Sequence, residues 1–200
     1  MDGAAARFPE VVRGGYLVIK EPNGSIGAPL MMEALPESRM IFLIRDPRDV
    51  VASSLDARSE GGWLYERGES RRRQEKRPQK KPNTYVRTRA NAYQQQIGNT
   101  KRAYESHKGY KALVRYEDLR ADTLGTMKRI YSALEIPVDE KELSRVVEKH
   151  AWERIPEEEK GEGKVYRKAT PGGWREDLTP KQVEIIERIT APLLEEFYPA

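Results

Sequence analysis

Three short apolar runs alternate with helix-forming stretches along the chain. The runs are Tyr16–Lys20, Met40–Arg45 and Lys111–Tyr116, and their near-continuous hydrophobicity is typical of strands buried on both faces. Helices are predicted at Ala28–Leu35, Asp46–Ala57, Thr84–Ser106, Asp122–Leu134, Glu140–His150 and Lys181–Phe197. Because strands and helices alternate, the pattern predicts an α/β fold with a parallel sheet, in a single domain over residues 1–200.

Two of the predicted helices have capping residues at their starts. Asp46 can cap the second helix, and Pro47 suits its first position. Thr179 and Gln182 have the spacing of a capping box before the last helix. Ligands of open α/β sheets bind beyond the carboxyl ends of the strands, so the residues that follow the apolar runs are candidates for function.

The amino-acid composition limits the ligands and the types of catalysis that this chain can have. A net charge of +4 and a pI of about 9.2 favour anionic ligands without choosing among them. The chain has no cysteine, which excludes disulfides and thiolate catalysis. The two histidines, His107 and His150, are predicted to be capping or surface residues. We expect a cytoplasmic protein without membrane contact, since no apolar run approaches the roughly 20 residues of a membrane helix and the first residues lack a signal-peptide layout.

A charged, turn-rich stretch, residues 61–82, interrupts the pattern and is predicted to be a mobile loop. Its segment Arg71–Lys81 holds seven basic residues and one acidic residue. A solvated loop is the simpler interpretation. The alternative is that the segment binds nucleic acid or an anionic polysaccharide.

The sharpest local motif is FLIRDPRDVVASS, residues 42–54. An apolar strand brings Arg45 to its carboxyl end, and a helix begins at once. Helix N-termini attract phosphate, and an arginine adds a planar fork for a bidentate contact. Ser53, two turns into the helix, could add a hydroxyl. The alternative interpretation is a capped, salt-bridged helix start without a ligand.

Two further segments hold candidate residues. YRKATPGGW, residues 166–174, places Arg167 and Lys168 in a glycine-bearing loop that could fold over an anion or be an ordinary surface loop. VIKEPNGS, residues 18–25, places Lys20 and Glu21 at a predicted strand end. There a lysine can stabilise a leaving oxygen and a carboxylate can accept a proton, although a solvated ion pair is the alternative.

Taken in this order, the three segments resemble the PAPS-dependent sulfotransferase family, which transfers a sulfuryl group from phosphoadenosine phosphosulfate (PAPS). The family's R-[DN]-x-[RK]-D-V-x-x-S motif is matched by Arg45, Asp46, Arg48, Asp49, Val50 and Ser53. Its R-K-G-x-x-G-D-W motif is matched by Arg167, Lys168, Gly172 and Trp174, while Ala169 and Gly173 depart from it. RYEDL, residues 115–119, is similar to the family's Y-E-D motif.

The resemblance implies a three-layer, P-loop-containing sulfotransferase-like fold, in which a parallel sheet is flanked by helices. It also implies a donor site. Arg45, Ser53, Arg167, Lys168 and Gly172 would bind the 3′-phosphate of PAPS, and Tyr116 would lie near adenine. Lys20 would stabilise the leaving oxygen and Glu21 would be the base. The family needs no metal.

One family element is missing from the 200 residues: the P-K-S-G-T-T-W loop that holds the 5′-phosphosulfate, together with its central strand. We therefore expect an N-terminally truncated domain, or a sheet completed by a partner or a second copy, with weak or no turnover by this chain alone. An inactive remnant that binds nucleotide is the alternative to an enzyme. A phosphotransferase is disfavoured, because the chain has no G-x-x-x-x-G-K-[ST] motif. The acceptor is expected to be a small molecule or glycan, with nucleic acid disfavoured as a partner and a homo-oligomer left open.

Overall fold

The computed structural model describes residues 16–20, 26–66 and 81–199. Two strands lie in that part of the chain, β1 (Met40–Ile44) and β2 (Lys111–Arg115). The helices are α1 (Ala28–Ala34), α2 (Pro47–Arg58), α3 (Trp63–Glu66), α4 (Pro82–Ser106), α5 (Tyr116–Ala121), α6 (Thr123–Ala133), α7 (Glu140–Lys149), α8 (Trp174–Asp177) and α9 (Pro180–Phe197). Two 3-10 turns occupy Trp152–Arg154 and Glu157–Glu159.

β1 and β2 form a small parallel sheet, as the alternation of strands and helices predicts. Met40 lies opposite Lys111, and Ile44 lies opposite Arg115. A parallel pair needs a crossover connection, which here includes α2 and the 25-residue helix α4. The carboxyl ends of both strands therefore meet at one edge, where Arg45 and Tyr116 follow them.

Helices pack against both faces of the sheet. Phe42 and Ile44 lie against α4 and α9 in a cluster completed by Tyr93, Ile97, Leu193 and Phe197. Ala112 and Val114 face the other side, where they meet Ile130 of α6 and Leu134 just after it. A third cluster joins α2, α4 and α9 through Val51, Ala52, Val86, Ala90, Ile185 and Ile186, with Leu178 just before α9. These clusters fix α2, and hence its first turn, on the rest of the domain.

The second face of β1 is left open in the described part of the chain. Ile41 is 50% exposed and Leu43 is 51% exposed, although their neighbours on β2 are buried. A two-stranded sheet is small for an α/β domain. The mixed α/β class is confirmed, and the three-layer, P-loop-containing arrangement stays a prediction.

The prediction of a buried strand at Tyr16–Lys20 is wrong. The segment has no regular secondary structure, and Val18 is 84% exposed. A strand needs a neighbour that satisfies its backbone N–H and C=O groups, and no described strand pairs with this segment. Hydrophobicity alone therefore did not place these residues in the sheet.

The capping residues behave as predicted. The Asp46 side chain accepts from the backbone N–H of Arg48, and Pro47 opens α2. Thr179 and Gln182 form a reciprocal capping box at α9. A short helix, α3, lies inside the stretch predicted to be a loop, and residues 67–80, with most of the basic segment, lie outside the described residues. No described helix is long and apolar enough to cross a bilayer.

Candidate functional site

The first feature of the site is the junction between β1 and α2. Arg45 and Asp46 link the strand to the helix, and Asp46 caps the helix by accepting from Arg48 N–H at 2.8 Å. The first turn of a helix carries free N–H groups and partial positive charge. The junction thus combines a helix N-terminus with the side chain of Arg45.

The backbone of this junction is locked by two residues that the sequence did not single out. The Tyr93 hydroxyl accepts from the Arg45 N–H at 3.1 Å and donates to the Arg45 carbonyl at 2.7 Å. The Glu117 carboxylate accepts from the Asp46 N–H at 2.9 Å and from the Tyr198 hydroxyl at 3.0 Å. The junction is therefore held from α4, α5 and the end of α9 before any ligand arrives.

Both tyrosines keep their protons. Burial raises the pKa of Tyr93 to about 12. Burial and the neighbouring Glu117 carboxylate raise the pKa of Tyr198 well above its usual range. Each hydroxyl consequently remains a hydrogen-bond donor throughout the physiological range.

The Arg45 side chain is the least satisfied cation of the junction. Its guanidinium carbon lies 4.4 Å from the centroid of the Tyr116 ring. Its Nε is buried without a hydrogen-bond partner, and it forms no ion pair with another described residue. An unpaired, partly buried guanidinium stacked on an aromatic ring is suited to an anion, and the structure here brings together two of the predicted residues.

Arg48 has a different role from Arg45. It forms ion pairs with Asp46 at 2.8 Å and Glu187 at 2.9 Å, and its guanidinium carbon lies 4.3 Å from the Trp174 ring centroid. Burial disfavours its charged form, yet hydrogen bonds to Asp46 and Glu187 raise the pKa of Arg48 above its ordinary value. Its charge is already compensated, so it braces α2 against α9 and the following loop.

The loop at residues 166–174 lies against the first turn of α2. The Asp49 carboxylate accepts from the Gly172 N–H at 2.7 Å and from the Trp174 N–H at 3.0 Å. From the other side, Arg120 of α5 donates to the Ala169 carbonyl at 3.1 Å. The two motifs that the sequence predicts to act together, separated by more than 100 residues, are thus in contact.

Two residues of this loop have left-handed backbone conformations. Gly172 has φ +82° and Ala169 has φ +50°. Glycine adopts this region at no steric cost, whereas alanine is strained there. Ala169 occupies the position at which the family motif has glycine. The loop therefore has a left-handed backbone conformation there although alanine is strained in it.

The loop cations are paired with acidic residues. Arg167 is 13% exposed and lies between Asp177 at 2.6 Å and Asp56 at 3.9 Å. Lys168 is 37% exposed and contacts Glu176 and Asp177, each at 2.9 Å. Sequence reasoning missed these acidic partners, because nothing in the spacing of Asp56 and Asp177 predicts that they meet the same cation.

The pairing shifts the pKa values of these groups. Burial alone would raise the pKa of Asp177, but hydrogen bonds from Lys168 and Arg167 bring it below the ordinary value. Hydrogen bonds to Asp177 and Glu176 raise the pKa of Lys168. Burial raises the pKa of Asp56 despite the nearby Arg167. Lys168 is therefore fully charged, and Asp177 is the principal counter-charge of the loop.

Ser53 lies on the face of α2 that meets this loop. It follows Asp49 by four residues and precedes Asp56 by three, and residues at these spacings share one helix face. Asp49 contacts Gly172 and Asp56 contacts Arg167, so Ser53 lies between two points of loop contact. It is half-buried, and its hydroxyl makes no hydrogen bond with another described residue.

Beside the loop lies an open cavity of about 640 Å³. Its lining includes Trp152, Lys160, Arg167, Lys168, Thr170 and Gly172. The Lys160 ammonium lies 5.2 Å from the Trp152 ring centroid and 2.6 Å from Glu157. Arg167 and Lys168 are consequently accessible from this side without any change in the fold.

The remaining predicted residues do not join this arrangement. Lys20 is exposed at the end of an exposed segment, and Glu21 lies outside the described residues. His107 is 4% exposed, ends α4 and donates from Nε2 to the Ser38 carbonyl at 2.9 Å, and His150 ends α7. The two histidines are thus capping residues, as expected, and His107 is also buried.

Comparison with known proteins gives one match. The family model of the sulfotransferase domain matches residues 28–198. No curated protein and no solved structure matches the chain significantly. The matched span contains Arg45, Ser53, Tyr116 and the loop at residues 166–174, and it begins after Lys20 and Glu21.

Proposed function

The chain belongs to the sulfotransferase family, and we propose that it binds PAPS and is built to transfer its sulfuryl group to a hydroxyl or amine acceptor. The observation that carries this proposal is that two cationic elements both adjoin α2. Arg45 precedes the helix and pairs with no acidic residue of the described ranges, and the loop with Arg167 and Lys168 lies along the same helix. A ligand with a phosphate group suits such a site.

The 3′-phosphate of the donor is assigned to this site. Arg45 would supply a planar fork, Ser53 a hydroxyl, and Arg167 and Lys168 further positive charge. Gly172 contributes its left-handed conformation, since its N–H already donates to Asp49. Tyr116, whose ring lies under the Arg45 guanidinium, would contact the adenosine of the nucleotide.

The residues present fit such a group. Arg45 Nε is buried and has no hydrogen-bond partner in the described part of the chain, which leaves a donor for an added oxygen. Lys168 keeps more than a third of its surface exposed, so an anion can reach it. Arg167 is more enclosed, and a phosphate would share it with Asp56 and Asp177. We therefore expect donor binding to weaken the Asp177 contacts of both cations.

The proposed reaction is an in-line displacement at sulfur. The acceptor oxygen or nitrogen forms a bond to sulfur while the bond from sulfur to the bridging phosphate oxygen breaks, releasing adenosine 3′,5′-bisphosphate. The acceptor loses its proton to a base, for which Glu21 is the candidate. Lys20 is the candidate for stabilising the charge on the leaving oxygen. Positioning and charge stabilisation supply most of the catalysis in such transfers.

Turnover by this chain alone is expected to be weak. The 200 residues contain no P-K-S-G-T-T-W segment to hold the 5′-phosphosulfate. Each charge-assisted contact contributes roughly 1.5–3 kcal/mol, so two missing contacts reduce affinity by about a hundredfold or more. The open face of β1 at Ile41 and Leu43 is suited to be covered by a further element packed on the sheet.

Calorimetric binding of adenosine 3′,5′-bisphosphate tests the proposal. We expect micromolar binding by the wild type, loss of about tenfold or more in Arg45→Ala, and partial retention in Arg45→Lys, which keeps the charge without the fork. Circular dichroism verifies that each variant is folded. Equal affinity in all three proteins, or no binding by the folded wild type, would contradict the proposal.

The basic segment Arg71–Lys81 supports a second candidate, binding of nucleic acid or an anionic polysaccharide. Its seven basic residues would neutralise several phosphates, which predicts a steep salt dependence. Replacing those seven residues with alanine should abolish such binding and leave adenosine 3′,5′-bisphosphate binding unchanged. The opposite pattern would support the donor site alone.

A further inference from the structure

Asp49 is a buried carboxylate with an unusual set of partners. It is 1% exposed, and it forms no ion pair with a described basic residue. Instead, its two oxygens accept from the N–H groups of Gly172 and Trp174, at 2.7 and 3.0 Å. A buried charge is costly unless hydrogen bonds compensate it, so these two bonds are essential to the placement of Asp49.

These bonds are the tightest link between the loop at residues 166–174 and α2. The Arg167–Asp56 pair spans 3.9 Å, the upper end of ion-pair distances. The bond from Arg120 to Ala169 ties the loop to α5 and not to α2. Arg48 contacts the Trp174 ring from α2, but a stacked cation leaves the loop backbone free to rotate. Asp49 alone fixes two backbone positions at once.

The position of Asp49 makes this link relevant to ligand binding. It lies four residues after Arg45 and four before Ser53, on the helix that follows Arg45 and carries Ser53. Its partners Gly172 and Trp174 follow Arg167 and Lys168 within the loop. A shift of the loop relative to α2 would therefore change where Arg167 and Lys168 lie relative to Arg45.

We propose that Asp49 is a positioning residue that aligns the two halves of the donor site, one on α2 and one in the loop. The inference rests on the proposed function, because the donor's 3′-phosphate is the group to be held between the halves. Asp49 itself does not touch the phosphate: both of its oxygens are occupied, and its negative charge would repel an anion. It acts through the backbone of residues 172–174.

The test uses the isosteric variant Asp49→Asn. Its amide can accept one of the two N–H groups, while its own NH₂ opposes the other. We expect adenosine 3′,5′-bisphosphate to bind at least about tenfold more weakly. Amide hydrogen exchange at Gly172 and Trp174 should accelerate, whereas exchange in β1 and α4 should not.

Asp139→Asn is the matched control. Asp139 also accepts two backbone N–H groups, those of Lys141 and Glu142 at 2.8 and 2.9 Å, at the start of α7. The control makes the same change of charge outside the candidate site. Both N–H groups go to a single oxygen of Asp139, which asparagine keeps, so the control separates the effect of charge from that of the lost hydrogen bond. Its affinity for adenosine 3′,5′-bisphosphate should equal that of the wild type. An equal loss in both variants would show a charge or stability effect and overturn the inference.

The remaining outcomes separate the two claims. Wild-type affinity in folded Asp49→Asn would overturn the role of Asp49 while leaving the donor site intact. No binding by the wild type would overturn the proposed function itself. If Asp49→Asn does not fold, Asp49→Glu is the variant to test. Its longer side chain keeps the charge but displaces the loop. A tenfold loss in that variant supports the inference, and unchanged affinity overturns it.

Discussion

The guanidinium carbon of Arg45 lies 4.4 Å from the centroid of the Tyr116 ring, where the carboxyl ends of β1 and β2 meet. This pair joins the residue that best suits a phosphate to the residue predicted to lie near adenine. The stacking also holds the guanidinium in place, and its Nε has no hydrogen-bond partner among residues 16–20, 26–66 and 81–199. A preordered cation loses less side-chain entropy when it binds its ligand.

Substitution of Tyr116 tests that contribution. Tyr116→Ala removes the ring under Arg45 and should weaken adenosine 3′,5′-bisphosphate binding by about twofold to fivefold, the equivalent of a partly exposed cation–π contact. Tyr116→Phe keeps the ring and should bind within about twofold of the wild type. Calorimetry on both variants measures the difference. Identical affinities would mean that the stacking does not support the site.

Ala169 is expected to be a destabilising residue. Its φ of +50° is unfavourable for any residue with a Cβ. Ala169→Gly should raise the free energy of unfolding by about 1 kcal/mol, after the greater flexibility of glycine in the unfolded chain is allowed for. Urea denaturation measures the change. Ala92→Gly, within α4, is the control and should lower stability by about 1 kcal/mol.

Asp177 competes with an incoming anion for Arg167 and Lys168. Asp177→Asn removes that competition and should tighten adenosine 3′,5′-bisphosphate binding by about threefold, within the range of a partly exposed ion pair. Because Asp177 is the leading cause of the raised pKa of Lys168, the variant should also lower that pKa. Calorimetry and NMR titration of Lys168 check the two effects. Weaker binding would show that Asp177 orients the cations and does not compete.

The lowered pKa of Asp177 implies that the folded chain loses stability in acid. Its pKa is below the ordinary value in the folded chain, so its contribution is complete above pH about 4, near the unfolded value. The contribution is lost as the pH falls through the lower folded value. The unfolding temperature of the wild type should therefore decrease more steeply below pH about 4 than that of Asp177→Asn. Parallel profiles would contradict this assignment.

Local patterns were sufficient to predict most of the fold and the motifs of the site. The start of α2 follows from Asp46 and Pro47, and the start of α9 from Thr179 and Gln182, because capping depends on residues within one turn. The contact between the two cationic motifs agrees with their predicted association. Periodicity thus identified the elements, and the family resemblance identified which loops to compare.

Contacts between residues far apart in the chain could not be predicted from the sequence. Tyr93 and Glu117 lock the backbone of Arg45 and Asp46 from elements 48 and 71 residues away. Likewise, Asp56 meets Arg167 only because the loop returns to α2. Tyr16–Lys20 has the composition of a strand but no described neighbour to pair with. Strand formation depends on that neighbour, which the local sequence does not reveal.

The central claim is that this site recognises the 3′-phosphate of the donor. The most direct measurement compares the affinities of adenosine 3′,5′-bisphosphate and adenosine 5′-monophosphate, in the wild type and in Arg45→Ala. The wild type is expected to prefer the bisphosphate by about tenfold or more, since the 3′-phosphate adds at least one charge-assisted contact. Arg45→Ala should lose most of that preference. Equal affinities for the two nucleotides in the wild type, or a preference that survives in Arg45→Ala, would contradict the central claim.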